Sequence, residues 1–431
     1  MLGLALLGAA HPLLQAAPGR REHDAAADRA LAAIARDPAC ELASLSVLAI
    51  RAGRPFYRFQ YGARSLATPS AVPVNADTLY RIASISKMMT TIGLMRLVEA
   101  KRVNLDTDVS RYLGFTLNNP HFPDRVVTLR ALLCHTSSLR DDAGYSWPAT
   151  TSLASVFAAG GAMWAKDSPP GEFFTYCNLG WGVIGTIMER VSGERFDRLM
   201  ARLLLAPLGI EGGYNPSALP AATVANIATI YRKRDVDSET WNSSGPWIAQ
   251  VDDIANKAPQ PPAGIDAYVP GTNATPFSPT GGLRISSDGL GIVMRMLMAG
   301  GVHRRTRILK ADTVDTMFTR QWTYDAARPN GATSNGLFQA WGLGNQQFID
   351  TADNRLITPA PSPAPFDAVG HLGDAYGLRS MFLFDRRRGT GFVVLTGGTV
   401  SDPDALKGSH SRLAAFEERI LATLWERTRH A

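Results

Sequence analysis

Stretches rich in β-forming residues stand at both ends of this 431-residue chain, and apolar residues at helical spacing occupy the middle. Near the N-terminus, LASLSVLAIRAGRPFYRFQYG reads as two strands that turn at Arg51-Ala-Gly-Arg54, with Gly53 in the turn. Near the C-terminus, GLRSMFLFD, a turn over Arg386 to Gly389 and GFVVLTGG read as a second hairpin. The economical way to satisfy both pairs is one antiparallel sheet built from the two chain ends, with the helical middle inserted. The expected fold is therefore α+β: a sheet flanked by terminal helices, with an inserted all-α region.

The helices carry their own signals. A polar, alanine-rich segment over Asp24 to Arg36 precedes the first strand. From Ser86 onward, Met88, Met89, Ile92, Leu94, Met95, Leu97 and Val98 cover nearly the whole circumference of a helix, which predicts a helix buried in the core. In LGWGVIGTIMERVSG one face is apolar, and Gly193 stands where a helix C′ residue belongs. Phe196, Leu199, Met200, Leu203 and Leu204 form another stripe that Pro207 is expected to end. Residues 205–280 are rich in Pro, Gly and Asn and read as long loops. A helix over Ser287 to Ala299 follows, and a last one carries Leu413, Phe416, Ile420, Leu421 and Leu424 on one face. The α/β part is expected at about 40–85 and 285–431, and the helical part at about 86–284.

Composition is that of an ordinary globular chain, 45% hydrophobic and 19% charged. Of its 44 basic residues only seven are lysines, so the net charge of +6 comes from scattered arginines, with short clusters at Arg304-Arg305 and Arg386-Arg387-Arg388. No basic stripe with interleaved aromatics appears, which argues against a nucleic-acid partner. The opening MLGLALLGAAHPLLQAAPG resembles the later part of a secretory signal peptide, although it lacks a basic n-region. Residues 1–18 are expected to direct export to the periplasm or beyond, and 19–431 to form one domain. No other run is long and apolar enough to span a membrane. Cys40, Cys134 and Cys177 make an odd count without metal-ligand spacing, so at least one thiol is expected to be free.

Three short patterns each occur once. Ser84 and Lys87 form Ser-x-x-Lys at the start of the buried helix. Three residues is nearly one turn, so both side chains share a face, and a lysine in a desolvated pocket can lose its proton and activate a serine. Tyr176 and Asn178 form Tyr-x-Asn just ahead of another buried helix. A phenol beside a lysine ammonium is a second candidate base. His371 and Gly373 form His-x-Gly, where glycine admits a close backbone approach and histidine adds a donor or a titratable charge.

In that order, the three motifs resemble those of the serine β-lactamase and penicillin-binding protein superfamily, in its class C-like branch of D,D-peptidases, D-aminopeptidases and esterases. The likeness runs from about Leu45 to the last helix through TLYRIASISK, VTLRALLCHTSSL, YCNLGWGVIGTIMERVSG, PTGGLRISSDGL and VGHLGDAYG. It implies that Ser84 attacks a carbonyl and becomes acylated, that Lys87 and Tyr176 share the proton transfers, and that Asn178 hydrogen-bonds the lysine or the acyl carbonyl. It also implies an oxyanion hole from the N–H groups of Ser84 and of Asp374, the residue after the His-x-Gly glycine.

Two departures bear on substrate. Penicillin-destroying members usually have Lys-Thr-Gly where this chain has His371, and no Lys-x-Gly occurs anywhere. Esters, amides and D-amino-acid peptides are thus expected ahead of β-lactams, although a protonated His371 could still bind a carboxylate. Cys177 stands where serine is common and reads as a packing residue, and His135 reads as structural. No Gly-x-Ser-x-Gly and no His-Glu-x-x-His occurs, and no cofactor or metal is called for. The leading expectation is an acyl-enzyme serine hydrolase; an acyltransferase, a β-lactamase or a non-hydrolytic penicillin-binding sensor are the alternatives.

Overall fold

In the computed structural model, residues 24–67, 71–351, 354–357 and 366–430 are described; the expected signal segment, 1–18, lies outside them. Helix α1 (Ala25–Ala35) begins at Asp24, whose carboxylate accepts the N–H groups of Ala26 and Ala27. Strands β1 (Ser44–Arg51) and β2 (Arg54–Ser65) follow, then the buried helix α2 (Ile85–Glu99), helix α3 (Leu179–Ser192) and helix α4 (Ser287–Met298). Strands β3 (Val369–Ala375), β4 (Leu378–Asp385) and β5 (Thr390–Thr396) lead to the last helix, α5 (Ala415–His430).

The two chain ends meet in one sheet. Strand β1 pairs with β2 on one side and with β5 on the other, Leu45 opposite Thr396 and Val47 opposite Val394. The order continues from β5 through β4 to β3, and short strands extend both edges, all antiparallel. At the first hairpin both Ala52 and Gly53 have positive φ, 49° and 70°, the two-residue turn that matches strand twist.

Strand alternation sorts side chains between two cores. Leu45, Val47, Ala49, Met381, Leu383, Phe392 and Val394 pack against α1 and α5 with Leu31, Leu421 and Leu424. Leu48, Ile50, Phe382, Phe384, Val393 and Leu395 face the inserted region and join Met88, Ile92 and Met95 of α2. Each fully buried side chain of this size contributes about 1.5–3 kcal/mol. This face therefore anchors α2 firmly against the sheet.

Two expectations need adjustment. Pro207 does not end its helix: a π turn over Ala201–Leu205 carries the chain to Leu208, and Gly209 in the left-handed region ends it. Within 205–280, Ile230–Lys233 and Trp247–Val251 form a hairpin, and Gly398–Thr399 pairs in parallel with its first strand. His371 lies inside β3, which precedes the β4–β5 hairpin and pairs with β4. The cysteines Cys40, Cys134 and Cys177 are free and buried.

Candidate active site

Ser84 occupies the N-cap of α2, directly after Ala83, whose φ of 44° is uncommon for a residue with a side chain. Backbone strain of this kind persists only where surrounding structure enforces it. Here it turns the chain from a short strand into the helix so that Ser84 faces a cleft of 1660 Å³ while Ile82 and Ile85 stay buried. Among the described residues the Ser84 N–H makes no backbone hydrogen bond, as expected at a helix start.

Lys87 lies one turn on and is fully buried. Its ammonium donates to Ser84 Oγ at 3.0 Å, Asn178 Oδ1 at 2.8 Å and the Thr280 carbonyl at 3.1 Å. Burial lowers its pKa to about 7, while the negative charge of Asp141 and, to a lesser degree, Cys177 oppose the shift. Lys87 Nζ also stands 4.9 Å from the Tyr176 ring centroid, over the face of the phenol.

Tyr176 and Asn178 are presented by the turn into α3. Burial raises the Tyr176 phenol above its ordinary range, with the Ser84 hydroxyl opposing. That reverses the sequence-based expectation of a phenolate: the lysine meets the ring face and gives up its own charge more readily. His135 stacks on Tyr176 with ring centroids 4.4 Å apart, and its Nδ1 accepts the Cys177 N–H at 3.0 Å. Burial, then the charges of Lys87 and His371, keep its pKa well below the usual imidazole value. It positions the tyrosine, as a structural residue should. Cys177 is buried with its thiol donating to Asp141 at 3.3 Å, and burial pushes its pKa well up, so it is inert packing.

Asp141 was not legible in the sequence. Its carboxylate accepts the N–H groups of Asn178 and Leu179, each at 2.9 Å to Oδ1, and the Asn178 side-chain amide at 2.9 Å. It thereby caps α3, where the helix dipole favours a negative charge, and fixes which way the Asn178 amide points. Asn178 Oδ1 accordingly faces Lys87 and also accepts from Thr280 Oγ1 at 2.7 Å.

The opposite wall is β3. His371 is 2% exposed and its Nδ1 lies 2.6 Å from the Leu372 carbonyl. A carbonyl can only accept, so Nδ1 carries the proton and Nε2, buried and without a hydrogen-bond partner among the described residues, keeps a lone pair. Burial and then the Lys87 charge lower its pKa to about 3, so the protonated, carboxylate-binding form foreseen from sequence is disfavoured at neutral pH. Gly373 serves a protein contact: a Cβ there would lie 2.5 Å from the Ile82 carbonyl, so its absence lets β3 approach the segment leading to Ser84. Asp374 lines the cleft and pairs with its cross-strand neighbour Arg379 at 3.3 Å, which in turn meets Asp404 at 2.7 Å. Its charge is thus answered by a cross-strand arginine.

The structure therefore brings Ser84, Lys87, Tyr176, Asn178, His371 and Asp374 around one cleft, although they come from three distant segments. The sequence profile of the Beta-lactamase family matches residues 26–416, a span that includes all of them. The chain belongs to the Beta-lactamase family. Penicillin-binding protein 4 of Amycolatopsis lactamdurans is 30% identical over 142 residues, and Protein flp of Staphylococcus aureus is 26% identical over 165. These matches cover 33% and 38% of this chain and 37% and 33% of the relatives, about a third of their length.

Solved structures share the Beta-lactamase fold over nearly the whole chain. The D-amino acid amidase of Ochrobactrum anthropi SV3 superposes with a TM-score of 0.63 at 18% identity, covering 94% of this chain and 99% of that one. EstCE1, described as a hydrolase with promiscuous acyltransferase activity, gives 0.64 at 21% identity over the same shares. The octameric penicillin-binding protein homologue from Pyrococcus abyssi gives 0.63 at 20% identity, covering 93% of this chain and 77% of that one. Among the described residues no helix is long and apolar enough to cross a membrane.

Proposed function

We propose that this member of the Beta-lactamase family is a serine hydrolase that acts, after export, on an ester or amide through an acyl-Ser84 intermediate. One observation carries the reading: a buried lysine with a pKa of about 7 lies 3.0 Å from the Ser84 hydroxyl. Neutral Lys87 takes the Ser84 proton as Oγ bonds to the substrate carbonyl carbon. The tetrahedral oxyanion is met by the Ser84 N–H and, across the cleft, by that of Asp374. Tyr176, held protonated, supplies the proton for the departing alkoxide or amine and regains one from Lys87. Water then attacks the acyl carbon by the reverse use of the same groups and frees the acid.

The fold shared with a D-amino acid amidase and with a hydrolase of promiscuous acyltransferase activity supports acyl substrates of these two classes, and D-amino-acid peptides fall within the amides. Neutral His371 supplies no cation for a penicillin carboxylate, so penicillins rank below simple esters and amides. The breadth of the cleft, 1660 Å³, favours one further reading, transfer of the acyl group to an alcohol or amine.

The test is turnover of a short-chain p-nitrophenyl ester, a D-alanyl amide and a penicillin by wild type and Ser84→Ala, with and without added alcohol. Ester or amide hydrolysis that vanishes in Ser84→Ala is expected. Turnover that survives the substitution would dismiss the reading, and a transesterified product would favour acyl transfer.

A further inference from the structure

A second cavity, of 380 Å³, opens at the far end of the same strands. Strand β4 runs from beside the catalytic cleft, which its second residue Arg379 lines, to Asp385, next to this cavity. Six residues at about 3.3 Å each separate the two openings by roughly 20 Å. Three turns supply the walls: the β1–β2 turn, the chain just beyond α4, and the β4–β5 turn.

Five arginines line the cavity, Arg295, Arg304, Arg386, Arg387 and Arg388. Asp315 meets Arg386 at 2.6 Å and Asp385 meets Arg388 at 3.6 Å. Arg295 donates to the Gly53 carbonyl at 3.0 Å, which fixes its stem, and Gly53 N–H binds the Gly389 carbonyl at 2.9 Å, which ties two of the turns together. Arg304 and Arg387 are exposed and have no carboxylate partner among the described residues. His303, only 7% exposed, also lines the cavity and its side chain makes no hydrogen bond among the described residues. Burial, then the charges of Arg295 and Arg304, lower the His303 pKa.

An imidazole that makes no hydrogen bond among the described residues, lining the same cavity as guanidinium groups that lack counter-charge, is an arrangement that an anion would complete. Guanidinium forks match tetrahedral oxyanions in particular, through paired N–H donors. We propose that this pocket binds a phosphate group, with Arg304, Arg387 and His303 as its donors. The group belongs either to a free phosphate or phosphate monoester or to the headgroup of an anionic lipid surface. In both cases the ligand occupies the end of the sheet remote from Ser84, so the proposal stands whether or not the hydrolase reading holds.

The test uses the full chain in low-salt chloride buffer, titrated calorimetrically with inorganic phosphate and, separately, sedimented with vesicles of phosphatidylglycerol in phosphatidylcholine. The probing variant is Arg304→Asn with Arg387→Gln; asparagine suits the φ of 53° at position 304. A control variant, Arg198→Gln with Arg328→Gln, removes the same charge elsewhere. Saturable phosphate binding that weakens at least tenfold in the probing variant alone supports a free-phosphate site. Vesicle binding with the same dependence, without saturable free phosphate, supports a headgroup site. Ester hydrolysis should be unchanged in either variant. Failure of both probes to bind, or equal losses in the probing and control variants, overturns the proposal.

Discussion

The two walls of the candidate catalytic cleft are built on opposite plans. On the helix wall, at the starts of α2 and α3, the polar groups nearest Ser84 are tied to one another: Lys87 has three acceptors, Asn178 Oδ1 two donors, and Asp141 holds both the turn and the helix end. On the strand wall, His371 Nε2 has no partner among the described residues and the Asp374 side chain remains 59% exposed. Saturated, buried groups hold a reactive geometry without reorganisation, whereas open ones are available to a substrate. Under the proposed mechanism the helix wall carries the proton transfers, while the strand wall lends the Asp374 N–H to the oxyanion and bears on the selection of what is cleaved.

That division is broken most directly at Lys87. Lys87→Met should lower kcat/KM by about 10²–10⁴-fold, the range for loss of a positioned base, with the melting temperature held or raised because a buried charge is gone. Loss of activity with a collapsed fold would show only that the lysine is structural. The pH profile sharpens the same point. Since only the neutral amine accepts the Ser84 proton, kcat/KM should rise with pH through about 7. A limb displaced far into the alkaline range would transfer the role to Tyr176.

Next in size is Asp141→Asn. The asparagine keeps one acceptor but places an amide donor against the N–H groups of Asn178 and Leu179, so stability should fall by about 1–3 kcal/mol in a denaturant titration. The lost negative charge should also move the Lys87 limb to lower pH, since Asp141 supports the ammonium. A limb that stays in place would detach Asp141 from the catalytic pair.

The strand wall should respond more gently. His371→Asn is expected to change KM and substrate ranking by tenfold or less while leaving the acyl-enzyme intact; an abolished adduct would put His371 into the chemistry itself. The smallest effect is on acid stability. Folded His371 titrates near 3, against 6.5 for an unperturbed imidazole, so between those values the unfolded chain binds the extra proton and stability falls as pH falls. His371→Gln should flatten that dependence by at most about 1.4 kcal/mol per pH unit. An unchanged slope between pH 6 and 4 would contradict the buried neutral state.

What could be read in advance follows the same division. The two-ended sheet, the all-round apolar helix behind Ser84 and the Gly193 cap are local patterns, and strand alternation or helical spacing reports them directly. Ser84 and Lys87 are one turn apart, so their contact is also local. Asp141 and Thr280 reach Asn178 across 37 and 102 residues, and no periodicity encodes such a meeting. The protonation of His371 depends on burial by a folded sheet and on the Lys87 charge, so its sequence neighbours misled. Pro207 failed as a stop because a π turn absorbed it, a tertiary adjustment invisible to propensity.

The most direct measurement is intact-protein mass spectrometry after brief exposure to a slowly released p-nitrophenyl ester, followed by peptide mapping. The account predicts a single acyl adduct on the peptide that carries Ser84, absent from Ser84→Ala and formed more slowly below pH 7. An adduct that persists in Ser84→Ala and maps to Cys177 or Ser86 would contradict it.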